Sequence, residues 1–179
     1  MATKTKWVGD PTHSEVAFKV KHLMISNVKG NFSEFSINAL TDGDDFSNAE
    51  IEVTINTASV STGVADRDGH LKSPDFFDSA NFGTMTFVSK SLSGKGDDLK
   101  LEGNLTIRGV TKAVTLDVEF GGVMTDPWGN VKAGFNVEGK INRKDWGLTW
   151  NAALEAGGVL VADEVRINAE VELLKVKEN

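Results

Sequence analysis

The chain has 179 residues, no cysteine, and 26 acidic against 19 basic residues, for a formal net charge of −7. Without cysteine it forms no disulfide, holds no Cys-ligated zinc and runs no thiol chemistry. Its basic residues are scattered along the sequence rather than clustered, which argues against a nucleic-acid partner, and no stretch approaches the ~20 apolar residues that span a bilayer as a helix.

The opening residues Met1–Trp7 carry charge with no following apolar run of signal-peptide length. This predicts a cytoplasmic protein, or a periplasmic one if a leader has been removed. Beyond them, apolar and polar residues alternate with a period of two in eight segments, near 14–21, 28–38, 49–56, 83–91, 98–107, 112–122, 130–142 and 164–176. Each reads as a strand with one dry and one wet face. Phe32 and Phe35, three apart, share a face only if the second segment carries a bulge. Residues 62–77 do not alternate; their polar content predicts a short helix or ordered loop, ended near Pro74. Such a segment would lie across one end of a barrel with Phe76, Phe77 and Phe82 as apolar plugs. Turn signals at Gly94–Asp98, Arg108–Thr111 and Asp126–Asn130 join neighbouring strands into a meander.

So many one-sided strands leave a bare apolar face unless the sheet closes on itself or folds into two layers. A sandwich satisfies the alternation as well as a barrel does. Strands of about ten residues, and Gly103 and Gly139 on the apolar parity of their strands, favour an eight-stranded antiparallel β-barrel formed by residues 1–179 as one domain. A barrel of that size is either filled by side chains or holds one small ligand. Gly103, Ala133 and Gly139, read as inward-facing, favour some internal space. The predicted lining is Val16, Phe18, Val20, Phe32, Phe87, Leu101, Leu105, Val118, Phe120, Phe135 and Val137.

Catalytic signals are weak. Ser14, His22 and Asp68 contain the atoms of a nucleophilic triad, yet there is no G-x-S-x-G elbow, and no catalytic residue is predicted. His13, His22 and His70 show no H-x-x-x-H spacing, so they read as hydrogen-bonding groups near strand ends and no metal is predicted. Asp66/Asp68 and Asp97/Asp98 are turn chemistry. Arg67, Arg108 and Arg143 sit beside turns or connections; at a barrel mouth they would form structural ion pairs or offer forks to an anionic or carbonyl head group.

Several strings nevertheless occur together in order. They are Trp7–Ser14, Phe18–Leu23 with Gly30–Phe32, Arg67–Leu71 with Asp75–Asp78, Gly103–Thr111, and Ile141–Arg143 with Trp146–Leu148. Together they resemble the signatures of the YceI-like, polyisoprenoid-binding family across nearly the whole chain. The resemblance implies a lipocalin-like eight-stranded barrel that holds a long-chain isoprenoid lipid, a prenyl quinone or polyprenyl phosphate, with no other cofactor required. It also implies that homodimers are common. Phe82-Gly83 stands where the family often has Tyr-Pro. His13, His22, Arg67, His70 and Arg143 become candidates for a polar rim around the lipid head group. Three functions then compete: a non-enzymatic carrier, an enzyme acting on a bound prenyl lipid, and a filled barrel serving as a stress-associated interaction module.

Overall fold

In the computed structural model, which describes residues 4–154 and 160–177, the alternating segments close into an antiparallel barrel of eight walls. Three walls are bent, so each is made of two strands. The first is β1 (Thr5–Gly9) and β2 (Glu15–His22), the second β3 (Ser26–Phe32) and β4 (Phe35–Asp42), the third β5 (Asp45–Asn56) and β6 (Val60–Ser61). The others are β7 (Thr84–Lys95), β8 (Asp98–Ile107), β9 (Val110–Thr125), β10 (Val131–Asn142) and β11 (Val161–Lys175). Each wall pairs with the next, and β11 closes the circuit by pairing with β2 along its first part and with β1 at its end. The short β1 and β6 are additions to the predicted strands.

The bends set which residues face inward. The predicted strand 28–38 breaks at Ser33–Glu34, where Ser33 N–H donates to Ser59 and Asn56 N–H donates to Glu34. The break resets parity, so that Phe32 and Ile37 both enter the core. In β7 a register shift between Ser89 and Ser91 does the same for Phe87 and Leu92. In β9 the extra residue falls at Gly121–Gly122, with Gly122 at φ +107°, and sets Phe120 directly opposite Phe135. Bulges of this kind bend a strand and re-aim its side chains.

The buried indoles are hydrogen-bonded, as buried polar groups require. Trp7 Nε1 donates to Thr41 Oγ1 at 2.7 Å, and Trp146 Nε1 donates to the Leu105 carbonyl at 2.9 Å. The predicted helix or loop is α1 (Ala65–Lys72), with Asp66 and Asp68 in its first turn and His70 and Lys72 in its last, an order that suits the helix dipole. Phe76 and Phe77 follow it into the barrel end. Phe82 does not: it stays 36% exposed and packs over Gly109 instead of plugging the barrel.

The glycines correct a second expectation. A Cβ on Gly103 would overlap the Phe87 ring, one on Gly139 would overlap Leu116, and one on Gly30 would overlap Phe18. These positions are therefore occupied by neighbouring side chains laid against the wall, and Ala133 is wholly buried in packed core. The internal space lies elsewhere.

Candidate functional site

Trp7, Phe46, Phe120 and Phe135 form an aromatic floor at one end of the barrel. The Phe46 ring lies 5.0 Å from both Trp7 and Phe135, and Phe120 stacks on Phe135 at 5.1 Å. Above this floor the barrel is hollow, with a cavity of about 360 Å³ whose wall is almost entirely hydrocarbon. That volume falls in the range of small-molecule sites. Val16, Val20, Val53, Val137, Val165 and Ile167 point inward yet are only half-buried, because the space in front of them is not filled by protein.

Ten of the eleven residues predicted as lining stand on this cavity wall. The exception is Phe120, which faces inward but is spent in the floor. Sequence reasoning missed the lining contributed by the connections, above all Trp150 and Leu148, and by α1 through Leu71. No periodicity marks those positions, since they lie outside the strands.

The five candidate rim residues separate. His22, Arg67, His70 and Arg143 converge at the mouth, opposite the floor. Arg67 is held by Thr62, donating from Nε to the hydroxyl at 2.8 Å and from Nη2 to the carbonyl at 3.0 Å. Its Nη1 edge has no protein acceptor among the described residues. His70 Nε2 lies 2.9 Å from Asp75 Oδ2, and its ring meets Trp150 edge-on at 4.6 Å. The pair of rings makes an amphipathic lip, apolar toward the bore and polar toward solvent.

Arg143 is near the mouth but is not a free fork. It is 3% exposed and donates to the carbonyls of Ala162, Leu148, Trp150 and Val161, with Asp163 at 3.9 Å. Burial pushes its pKa down, with Asp163 opposing. Its guanidinium therefore staples the connection after β10 to the start of β11, which leaves Arg67, His70 and His22 as the polar candidates at the mouth.

His13 lies at the far end, beside the β1–β2 bend. Its Nδ1 is 3.0 Å from Asp10 Oδ2, and Lys132 Nζ bridges Asp10 at 3.4 Å and Glu172 at 3.1 Å. Asp10, His13 and Glu172 bring ligand-type atoms within 4.8 Å of one another. Asp10 also accepts from the Thr12 hydroxyl at 2.6 Å and the Thr12 N–H at 3.0 Å. The cluster works as an ion-paired clasp between β10, β11 and the bend.

The Thr12 hydroxyl and the His13 ring hold the Asp10 carboxyl well below its ordinary value of 3.8, against a smaller opposing push from burial. A depressed carboxylate stabilises the fold fully above its unfolded pKa and loses that contribution as pH falls through the folded one. Asp10→Asn is therefore expected to lower the melting temperature at neutral pH by about 2–8 °C, for roughly 1–2 kcal/mol. Melting curves across pH should show the gap to wild type narrowing below pH ~4; a gap that stays constant into acid would show that the carboxylate charge contributes nothing.

Comparison with known proteins agrees with this architecture. The family model described as YceI-like domain matches residues 7–173. A UPF0312 protein of Staphylococcus aureus is 43% identical over 169 residues, covering 94% of this chain and 96% of the relative. Among solved structures, the Campylobacter jejuni YceI protein is 38% identical and superposes with a TM-score of 0.73, over 88% of this chain and 90% of that one. A polyisoprenoid binding domain from Saccharophagus degradans shares the fold at 16% identity, with a TM-score of 0.66 over 95% of this chain and 98% of that one. From its strand register to its ordered sequence strings, the chain belongs to the YceI-like domain family.

Proposed function

We propose that the protein is a non-enzymatic carrier that withdraws the tail of a long-chain isoprenoid lipid, a prenyl quinone or a polyprenyl phosphate, into its bore. The hollow hydrocarbon interior carries this reading: inward-facing valines and isoleucines remain half-buried for want of protein contacts. Apolar transfer supplies the driving force, nominally about 0.8 kcal/mol per buried CH₂. Losses from ordering a flexible chain make that sum a ceiling. The mouth adds a cationic edge on Arg67 and the imidazoles of His70 and His22, which suit a carbonyl or phosphate head group. No covalent step is assigned to them.

Two measurements test the proposal. Organic extracts of gently purified protein should contain a prenyl lipid by mass spectrometry, and affinity for added prenyl quinones should rise with tail length until the bore is full. The same titration is expected to quench Trp150, which lines the mouth, whereas exposed Trp128 at the opposite end should respond little. Trp150→Phe should remove most of the quench. An empty extract together with no quench by any prenyl quinone would overturn the carrier reading.

A further inference from the structure

A carrier of a bilayer lipid must load and unload at a bilayer, and one hairpin at the mouth is built for that contact. Residues 23–25 join β2 to β3 directly after the mouth residues Lys21 and His22. Leu23, Met24 and Ile25 are 38%, 53% and 83% exposed. The Ile25 N–H donates to the His22 carbonyl at 3.2 Å, with Leu23 at φ 55° and Met24 at φ 64°. This is the type I′ arrangement, which Asn and Gly adopt readily and larger side chains adopt only with strain. Three apolar side chains are thus held out in water on a turn that polar residues would form better. The Leu23 N–H, donating to the Leu160 carbonyl at 2.9 Å, ties this turn to the lip of the cavity.

The hairpin itself is cationic, while the β11 segment beside it carries Asp163 and Glu164 in the bulge between Val161 and Val165. No acidic residue occurs between Glu15 and Glu34, although the chain as a whole is at −7, and Lys19, Lys21 and Lys29 all fall in that interval. Cations scattered in sequence are then aligned by register: Lys140 faces Arg166, Arg166 faces Lys19, and Lys19 faces Lys29 across four adjacent strands. Like charges directly opposite one another weaken a sheet. Glu164 approaches Lys140 at 4.0 Å and Arg166 at 3.7 Å. Lys19 and Lys29 have no ion-pair partner among the described residues. The row lies on the outer face, about 13 Å along the strands from the tip.

We infer that this hairpin docks the barrel mouth on an anionic lipid bilayer. Leu23, Met24 and Ile25 enter the boundary between head groups and acyl chains, while Lys19, Lys21, Lys29 and Arg166 meet lipid phosphates. Its purpose rests on the carrier reading, but docking itself is measured without cargo. Co-sedimentation of the full chain with phosphatidylcholine vesicles, with and without phosphatidylglycerol, is expected to show at least about tenfold stronger binding to the anionic ones, weakening as salt is raised.

Two variants separate the contributions. L23N/M24G/I25S should lose about tenfold or more in vesicle binding while its melting temperature holds or rises by about 2–6 °C, because the new turn suits its backbone. K19E/K29E should lose a similar factor on anionic vesicles only. Neither should alter prenyl-quinone affinity in solution, since none of these residues lines the cavity. Absence of wild-type binding, or equal binding by wild type and both variants, would overturn the inference. So would a tip-dependent dimer without vesicle binding, which would assign the tip to a second copy of the chain. Docking without any uptake of prenyl lipid would instead defeat the carrier reading and leave the docking surface standing.

Discussion

Val137→Trp is expected to reduce retention of a prenyl lipid by at least about tenfold while leaving the barrel folded. Val137 sits on β10 opposite Val118 and points inward, yet it is only half-buried. Added volume there enters the empty bore, not packed core, so the usual penalty for overfilling a core does not apply. An indole in the bore excludes two or three methylenes of tail, or about 2 kcal/mol, and 1.4 kcal/mol is tenfold in affinity. The comparison is a quinone titration beside a melting curve. A folded variant with wild-type affinity would mean that the tail does not occupy the bore.

Arg143→Ala should produce the largest loss of stability, about 3–5 kcal/mol, or 6–20 °C in melting temperature. The substitution leaves the carbonyls of Leu148, Trp150, Val161 and Ala162 without their shared donor. It also releases the connection that carries Trp150 to the mouth. Arg143→Lys should recover only part of the loss, because a compact ammonium with three donors does not replace the broad planar guanidinium that reaches four carbonyls. Thermal denaturation of the three proteins decides the matter; an alanine variant within about 2 °C of wild type would refute the staple.

The walls of the barrel were legible because alternation is a local property that survives folding unchanged. Val16, Phe18 and Val20 needed no tertiary information to be assigned to one face. What sequence could not supply were the events that depend on a partner strand. In the sequence the break at Ser33–Glu34 shows only as a condition on Phe32 and Phe35, and β6 exists because Phe32 has Val60 to pair with. The glycines show the same limit. Gly103 and Gly139 do face inward, but whether an absent side chain leaves a void or a berth for a neighbour depends on Phe87 and Leu116, which arrive from adjacent strands.

The rim was half legible. His13 and His22 flank one strand, and nine residues of extended chain span about 30 Å, so strand geometry alone places them at opposite ends of a barrel. The sequence places Arg143 beside a connection at the mouth, but its role turns on burial and on carbonyls 5–19 residues away. The cationic row was invisible for a related reason: Lys19, Lys29, Lys140 and Arg166 become neighbours only through the register of four strands.

The seam between β1 and β11 also constrains how the molecule comes into being. Trp7 faces Lys175 there, and the Val176 N–H reaches back to the Lys6 carbonyl. A nascent chain emerging from the ribosome cannot seal its cylinder until those distant residues arrive, and non-local pairing of this kind is slow. In the interval seven greasy walls stand unsheltered, so newly made protein passes through a sticky stage in which chaperones have most to offer.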